Sequence, residues 1–225
     1  MSGLVRRAIR AGIIGTIVMA AVVFLLAWTV YYWQGWAYIA TFVLCTALVT
    51  AYLAKYDPKL LENRLSAGPQ AEKETSQKLI MVFASLGFTA LLVYPAIDHR
   101  FHWSPVPWYV SVLGDLMIVL SYIGILLVFR ENSYGASTIK LQEGQTVIST
   151  GPYSIVRHPM YASAIPMIAG MPLALDSWWG LLGVIPFIAV LAWRLLDEEK
   201  FLRRNLPGYP DYMEKVRYRL VPWVW

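Results

Sequence analysis

The chain has 225 residues, of which 58% are hydrophobic and 15% charged, with a formal net charge of +5. A soluble domain of this size would have about a quarter of its residues charged. The composition therefore excludes a water-soluble protein, and the grouping of the charges excludes a nucleic-acid surface. The single cysteine, Cys45, lies in an apolar run and excludes an intrachain disulfide or a cysteine-cluster metal site.

In chain order, the apolar runs predict an all-α integral membrane protein with a bundle of about six transmembrane helices, each near the length that spans a bilayer core. The basic residues Arg6, Arg7 and Arg10 come first, and the apolar run behind them is too long for a cleavable leader. The first span covers about 11–32 and the second about 36–54. A mixed-charge segment, "KYDPKLLENRLSAGPQAEKETSQK", follows. The third span covers about 79–97 and the fourth about 108–129. A polar stretch of roughly 30 residues precedes two shorter spans, about 160–175 and 178–196, which read as a helical hairpin. A polar tail closes the chain. Residues 1–129 form an N-terminal region of four spans, and 130–225 a region that carries the chemistry.

Lysine and arginine fix the expected orientation. Of the 19, Arg100 alone falls on one side of a six-span topology. The other 18 fall within 1–10, 55–78, 130–157 and 194–219. Both termini are thus expected in the cytoplasm, against anionic headgroups. Trp33, Trp36, Trp103, Trp108, Trp178 and Trp179 sit at span ends, as an aromatic belt would place them.

The chemistry concentrates in three polar pieces on the cytoplasmic side. The first is the loop "RENSYGASTIKLQEGQTVIST". The second is "GPYSIVRHPMYAS", at the mouth of the fifth span. The third is the end of the last span with its tail, "WRLLDEEKFLRRNLPGYPDYMEKV". Gly151-Pro152 reads as a turn and Pro159 as the first turn of a helix. The free N–H groups at that helix start make an anion site, to which Arg157 and His158 add donors; a plain helix cap at the headgroups is the other reading. Arg194 and Glu198, four apart, share a helix face, either as a surface ion pair or as part of a site holding both signs. A zwitterionic ligand suits the second arrangement. His99 and His102 fall on the far side and receive no role, and no metal site is expected.

With these residues in place, "GPYSIVRHPMY", the hairpin, "DEEKFL" and "GYPDYMEKV" resemble the isoprenylcysteine carboxyl methyltransferase family. That family is part of a wider group of membrane methyltransferases that includes phospholipid N-methyltransferases. The resemblance covers roughly 125–222. It implies S-adenosyl-L-methionine as cofactor and transfer of a methyl group to a carboxylate on a lipophilic or lipid-modified substrate. It implies cofactor contacts at Gln145, Thr146, Val147, Ile148, Tyr153, His158, Pro159, Met160, Tyr161 and Glu198, with one more on Gln142 or Lys140. Arg194 is implied as the substrate-carboxylate contact. Family members with an arginine in the helix before the loop make Arg130 the next candidate, and Glu199 could assist an amine nucleophile. The likeness to bacterial members implies a multi-pass protein of the inner membrane, surrounded by lipid, with no nucleic-acid partner. Phospholipid or amine N-methylation is the alternative, and a NADPH-dependent membrane reductase of related architecture the more distant one.

Overall fold

The structure, a computed structural model, describes residues 3–66, 68, 70, 72, 74–135, 138, 139 and 141–225. Among these, eight α-helices and one 3-10 turn form the molecule, with no strand. They are α1 (Gly3–Ala27), α2 (Trp33–Tyr56), α3 (Pro58–Leu65), α4 (Thr75–Phe101), α5 (Trp108–Glu131), α6 (Pro159–Ala174), α7 (Leu181–Asn205) and α8 (Tyr209–Lys215). The 3-10 turn is Gly151–Ser154.

This is an all-α integral membrane protein. Helices α1, α2, α4 and α5, with 24 to 27 residues each, are long and apolar enough to cross a bilayer. Large apolar side chains such as Ile17, Leu48, Leu86, Leu116 and Leu120 remain exposed on them. In water such surface would be costly; against lipid tails it costs nothing. The last two expected spans differ from the sequence reading. Helix α6 has 16 residues, about 24 Å of rise, less than a full hydrocarbon core. Helix α7 has 25 residues, but nearly half of it, from Arg194 to Asn205, is rich in charged residues. The two form the expected hairpin, with α6 enclosed by its neighbours and α7 exposing Leu182, Ile185 and Leu196 on its outer face. Two short helices, α3 and α8, occupy segments that read only as polar.

Small residues bring α5 and α6 together. A Cβ on Gly114 would lie 2.4 Å from the Ala174 nitrogen and 2.6 Å from the Gly170 carbonyl oxygen. No side chain fits there, so the backbones touch. Nearer the other end, a Cβ on Gly124 would meet Ser163 Oγ at 2.6 Å. The pairs run in opposite order along the chain, so α5 and α6 are antiparallel. The same holds for α4 and α7, since Gly87 faces Phe187 and Gly180 faces Pro95. One buried core links α1, α2, α4, α5, α6 and α7 through residues such as Val23, Tyr38, Leu91, Ile118, Met171 and Phe187.

At one end, Asp98 accepts from Ser104 and Ser177, while Asp176 accepts from the Val106 N–H at 2.7 Å and pairs with His99 Nδ1 at 2.8 Å. His99 stacks on Tyr32 with ring centroids 3.7 Å apart. These contacts tie the α4–α5 and α6–α7 turns together and account for His99 structurally. At the opposite end, Ala8 of α1 packs with Leu53, Leu60, Leu61 and Phe129. The stretches rich in arginine and lysine meet here, around the polar segments.

Candidate active site

The polar end is organised around Glu199, a buried residue beyond the apolar part of α7. Its carboxylate accepts from Arg157 Nε at 2.7 Å and Arg219 Nε at 2.9 Å, and lies 3.3 Å from His158 Nε2. Burial alone would raise this carboxyl, but hydrogen bonds from His158, Arg157 and Arg219 hold it at about 2. Arg157 also donates through Nη1 to the Val216 and Arg217 carbonyls, both at 2.8 Å. The Arg157 and His158 N–H groups donate to the Tyr218 and Arg219 carbonyls. The helix start at Pro159 is therefore fastened to the tail, and Arg157 is a clasp for that tail.

The loop 132–150 is held by its own side chains. Gln142 Nε2 donates to the Tyr134 carbonyl at 2.8 Å, Asn63 Nδ2 donates to Gln142 Oε1 at 2.9 Å, and Thr150 donates to Glu131. Asn132 Nδ2 donates to the Tyr153 hydroxyl at 2.7 Å, and Tyr212 donates to the Tyr153 carbonyl. Burial pushes the Tyr153 hydroxyl up to about 12, with the Asn132 hydrogen bond opposing and the Glu198 charge assisting. It stays protonated at neutral pH.

Between the loop, the start of α6, the end of α7 and α8 lies a cavity of about 460 Å³. That volume is in the range of small-molecule sites. It has two zones. The polar zone has Arg64, His158, Arg194 and Glu198 on its wall, with Tyr153, Tyr209 and Tyr212. The apolar zone runs between α4, α5, α6 and α7, walled by Phe88, Ile125, Met167, Ile168, Phe187 and Leu191. Tyr161 donates its hydroxyl proton to Glu198 at 2.7 Å. The Tyr209 hydroxyl is buried and has no hydrogen-bond partner among the described residues.

The cavity wall brings together Gln145, Thr146, Val147, Ile148, Tyr153, His158, Pro159, Met160, Tyr161, Arg194 and Glu198. Three candidates lie off it. Glu199 is committed to its three basic neighbours. Arg130 is exposed at the end of α5. Gln142 braces the loop. Lys140 lies outside the described residues. Arg194 has a partner absent from the sequence reading: its Nη2 donates to Glu72 Oε1 at 2.6 Å, and Glu72 Oε2 accepts from the Ile139 N–H at 3.2 Å. Arg64 is a second omission. Both come from the segment between α2 and α4, which reads as a mixed-charge connection. The available signal was a glutamate and an arginine on a segment expected at the same membrane face as the three polar pieces.

Residues 109–207, from α5 to the end of α7, match the model of a family described as phospholipid methyltransferase. Three curated proteins are similar over part of the chain. The cobalt-zinc-cadmium resistance protein CzcN of Cupriavidus metallidurans is 26% identical over 115 residues, covering 48% of this chain and 51% of the relative. The nickel-cobalt-cadmium resistance protein NccN of Alcaligenes xylosoxydans xylosoxydans is 24% identical over 115 residues, covering 48% of this chain and 52% of the relative. The Delta(14)-sterol reductase of Mus musculus is 29% identical over 94 residues, covering 40% of this chain and 22% of the relative. The match thus spans about half the length of the first two relatives and about a fifth of the third.

Proposed function

We propose that this chain is a membrane methyltransferase that uses S-adenosyl-L-methionine and methylates a carboxylate on a lipophilic molecule. The observation that carries this reading is the single cavity in which a polar zone with both signs of charge opens into an apolar zone among the helices. A charged cofactor suits the first zone and a lipid-like substrate the second. The family model matched by 109–207 supports the reaction class.

The residues present fit the cofactor. Glu198 lies on the cavity wall as a carboxylate for an ammonium group, and the start of α6 with His158 faces the same space for an acid group. The Tyr209 hydroxyl offers a buried donor without a partner among the described residues. Gln145, Thr146, Val147, Ile148, Tyr153, Pro159 and Met160 complete the wall. When bound, the cofactor supplies a methyl group on a sulfonium, and transfer breaks that S–C bond as a substrate oxygen or nitrogen takes the carbon. The protein's part is placement. Arg194 orients the acid group through its planar fork, and a carboxylate ionised at neutral pH needs no base. The surrounding helices exclude water from the apolar zone.

A second reading is N-methylation of a phospholipid amine. The description of the matched family favours it, and the Tyr161–Glu198 hydrogen bond provides a route for an amine proton. A reductase reading follows the sterol reductase likeness. Isothermal titration of the purified protein with S-adenosylmethionine and, separately, NADPH decides between transferase and reductase. Binding of NADPH alone rejects the proposal. Incubation with a radiolabelled methyl donor and a bacterial lipid extract then separates the two transferases. Label released as methanol by mild alkali marks a methyl ester, and alkali-stable label marks an amine product.

A further inference from the structure

Two guanidinium groups share one wall of the cavity, and one of them belongs to the N-terminal half. Helix α3 places Arg64. Asp57 caps the helix by accepting from the Leu60 N–H at 2.9 Å, and Pro58 begins its first turn. Leu60 and Leu61 are buried against Leu53 and Phe129. One turn later Arg64 lies over the Phe129 ring at 5.2 Å, with Nη1 3.7 Å from Met160 Sδ. Met160 belongs to the α6 start, so Arg64 stands beside the chemistry. Arg194 reaches the same wall from α7 and is braced by Glu72, whose carboxylate is buried and also tied to the Ile139 N–H.

Beside these two guanidiniums stand Glu72 and Glu198; Arg157, also on the cavity lining, is committed to Glu199. Glu72 is not on the cavity surface; it holds Arg194 from behind. Glu198 is on the surface and serves the cofactor's ammonium in the proposed function. With a cation at Glu198, the wall still presents the Arg64 and Arg194 guanidiniums to an acid group. It lies where the polar zone gives way to the apolar one, with Met160 and Ile125 beside it.

We propose that Arg64 and Arg194, the latter braced by Glu72, form a subsite for a monoanionic acid group on a lipid-like molecule, either a carboxylate or a phosphodiester. The assignment rests on the reading of the apolar zone as the substrate's place. Arg64 and Glu72 both lie outside 109–207, the part that matches the family model. The substrate end of the site is therefore set in part by a segment of this chain that the family model does not cover. The chemistry is that of planar, multi-donor recognition: a guanidinium carries several N–H donors for the oxygens of an acid group, and a neutral ester lacks the charge to use them.

The test uses the full chain in a neutral detergent and three probes of equal chain length: myristate, myristoyl lysophosphatidylglycerol and methyl myristate. Each is titrated with and without S-adenosylhomocysteine. The wild type is expected to bind at least one acid probe about tenfold or more tightly than the methyl ester. Arg64→Gln should remove that preference and leave the ester's affinity unchanged, and Arg64→Lys should restore part of it. Preference for myristate or for the lysolipid identifies the acid group. Equal binding of all three probes by the wild type overturns the proposal. So does an equal loss for all three in Arg64→Gln, because packing, and not charge, would then be the role of Arg64. The S-adenosylhomocysteine isotherm is read separately. If it is flat while the acid preference depends on Arg64, the methyltransferase reading fails and the subsite stands.

Discussion

Glu198 and Glu199 are adjacent in the chain but about 100° apart around α7, so the fold gives them different neighbours. Glu198 is on the cavity wall with one hydroxyl donor, Tyr161. Replacing it with alanine should weaken S-adenosylmethionine binding about 10- to 100-fold, the loss of one charge-assisted contact worth about 1.5–3 kcal/mol. Titration against a variant with unchanged thermal unfolding checks this. Glu199 is buried, and its carboxyl is lowered from 4.5 to about 2. A lowered folded-state value gives stability that is present above the unfolded value, about pH 4.5, and is lost as pH falls towards 2. The shift corresponds to about 3 kcal/mol. The unfolding midpoint of the wild type in detergent should fall steeply between about pH 4.5 and 2. Glu199→Gln should start lower at pH 6 and fall less over that window. Parallel curves for the two proteins would show that the carboxylate carries no such linkage. Arg194→Lys separates substrate from cofactor: the charge remains but the fork is lost. Cofactor affinity should stay near wild type while turnover on an accepted acid drops by roughly tenfold or more. That comparison is made on one preparation by titration and methyl-transfer assay.

Helix α6 is short because its task is to carry the site's mouth against α5. The contact is made by Gly114 and Gly170, where any side chain would collide with backbone. Backbone cannot yield as a flexible side chain can. Gly114→Ala should therefore destabilise the protein by about 1–3 kcal/mol, as overpacking does. Gly12, with nothing within 4 Å of an added Cβ, is the control: alanine there should be neutral or stabilise α1 by about 0.5–1 kcal/mol. Thermal unfolding of both variants in the same detergent tests the contrast, and equal midpoints would remove the close-packing argument. The hairpin of α6 and α7 was legible from two apolar runs parted by Asp176 and Ser177. The enclosure of α6 was not, because apolar composition is the same whether a helix faces lipid or other helices. Helices α3 and α8 were missed for a related reason. Each is only two turns or so, and their stability comes from packing of Leu60, Leu61, Tyr209 and Tyr212, which hydropathy does not register.

Across the molecule, the charge distribution and the fold agree on two unlike ends. One carries Arg100 and a belt of exposed tryptophans, Trp28, Trp33, Trp36, Trp103, Trp108, Trp178 and Trp179. The other carries the remaining basic stretches and the cavity. With cytoplasmic orientation as the proposal, reporter fusions after Ser66 and after Trp225 should both report cytoplasm, and one after Trp103 the opposite face. Opposite signals from the first two would overturn it. The membrane class, the antiparallel hairpin and eleven of the residues on the cavity wall were all readable from the chain, because hydropathy and local motifs are written in consecutive residues. Three things were not. Glu199 read as an aid to an amine nucleophile until rotation around α7 turned it onto Arg157, His158 and Arg219. Arg157 read as a ligand donor, and it does line the cavity, but its clasp on the tail through Val216 and Arg217 was not visible. Arg194 read either as an ion pair with Glu198 or as part of a site holding both signs, yet it pairs with Glu72, 122 residues away. A buried charge seeks whatever counter-charge the packed bundle brings within reach. Sequence spacing defines such neighbours within a helix; between helices, only their packing does.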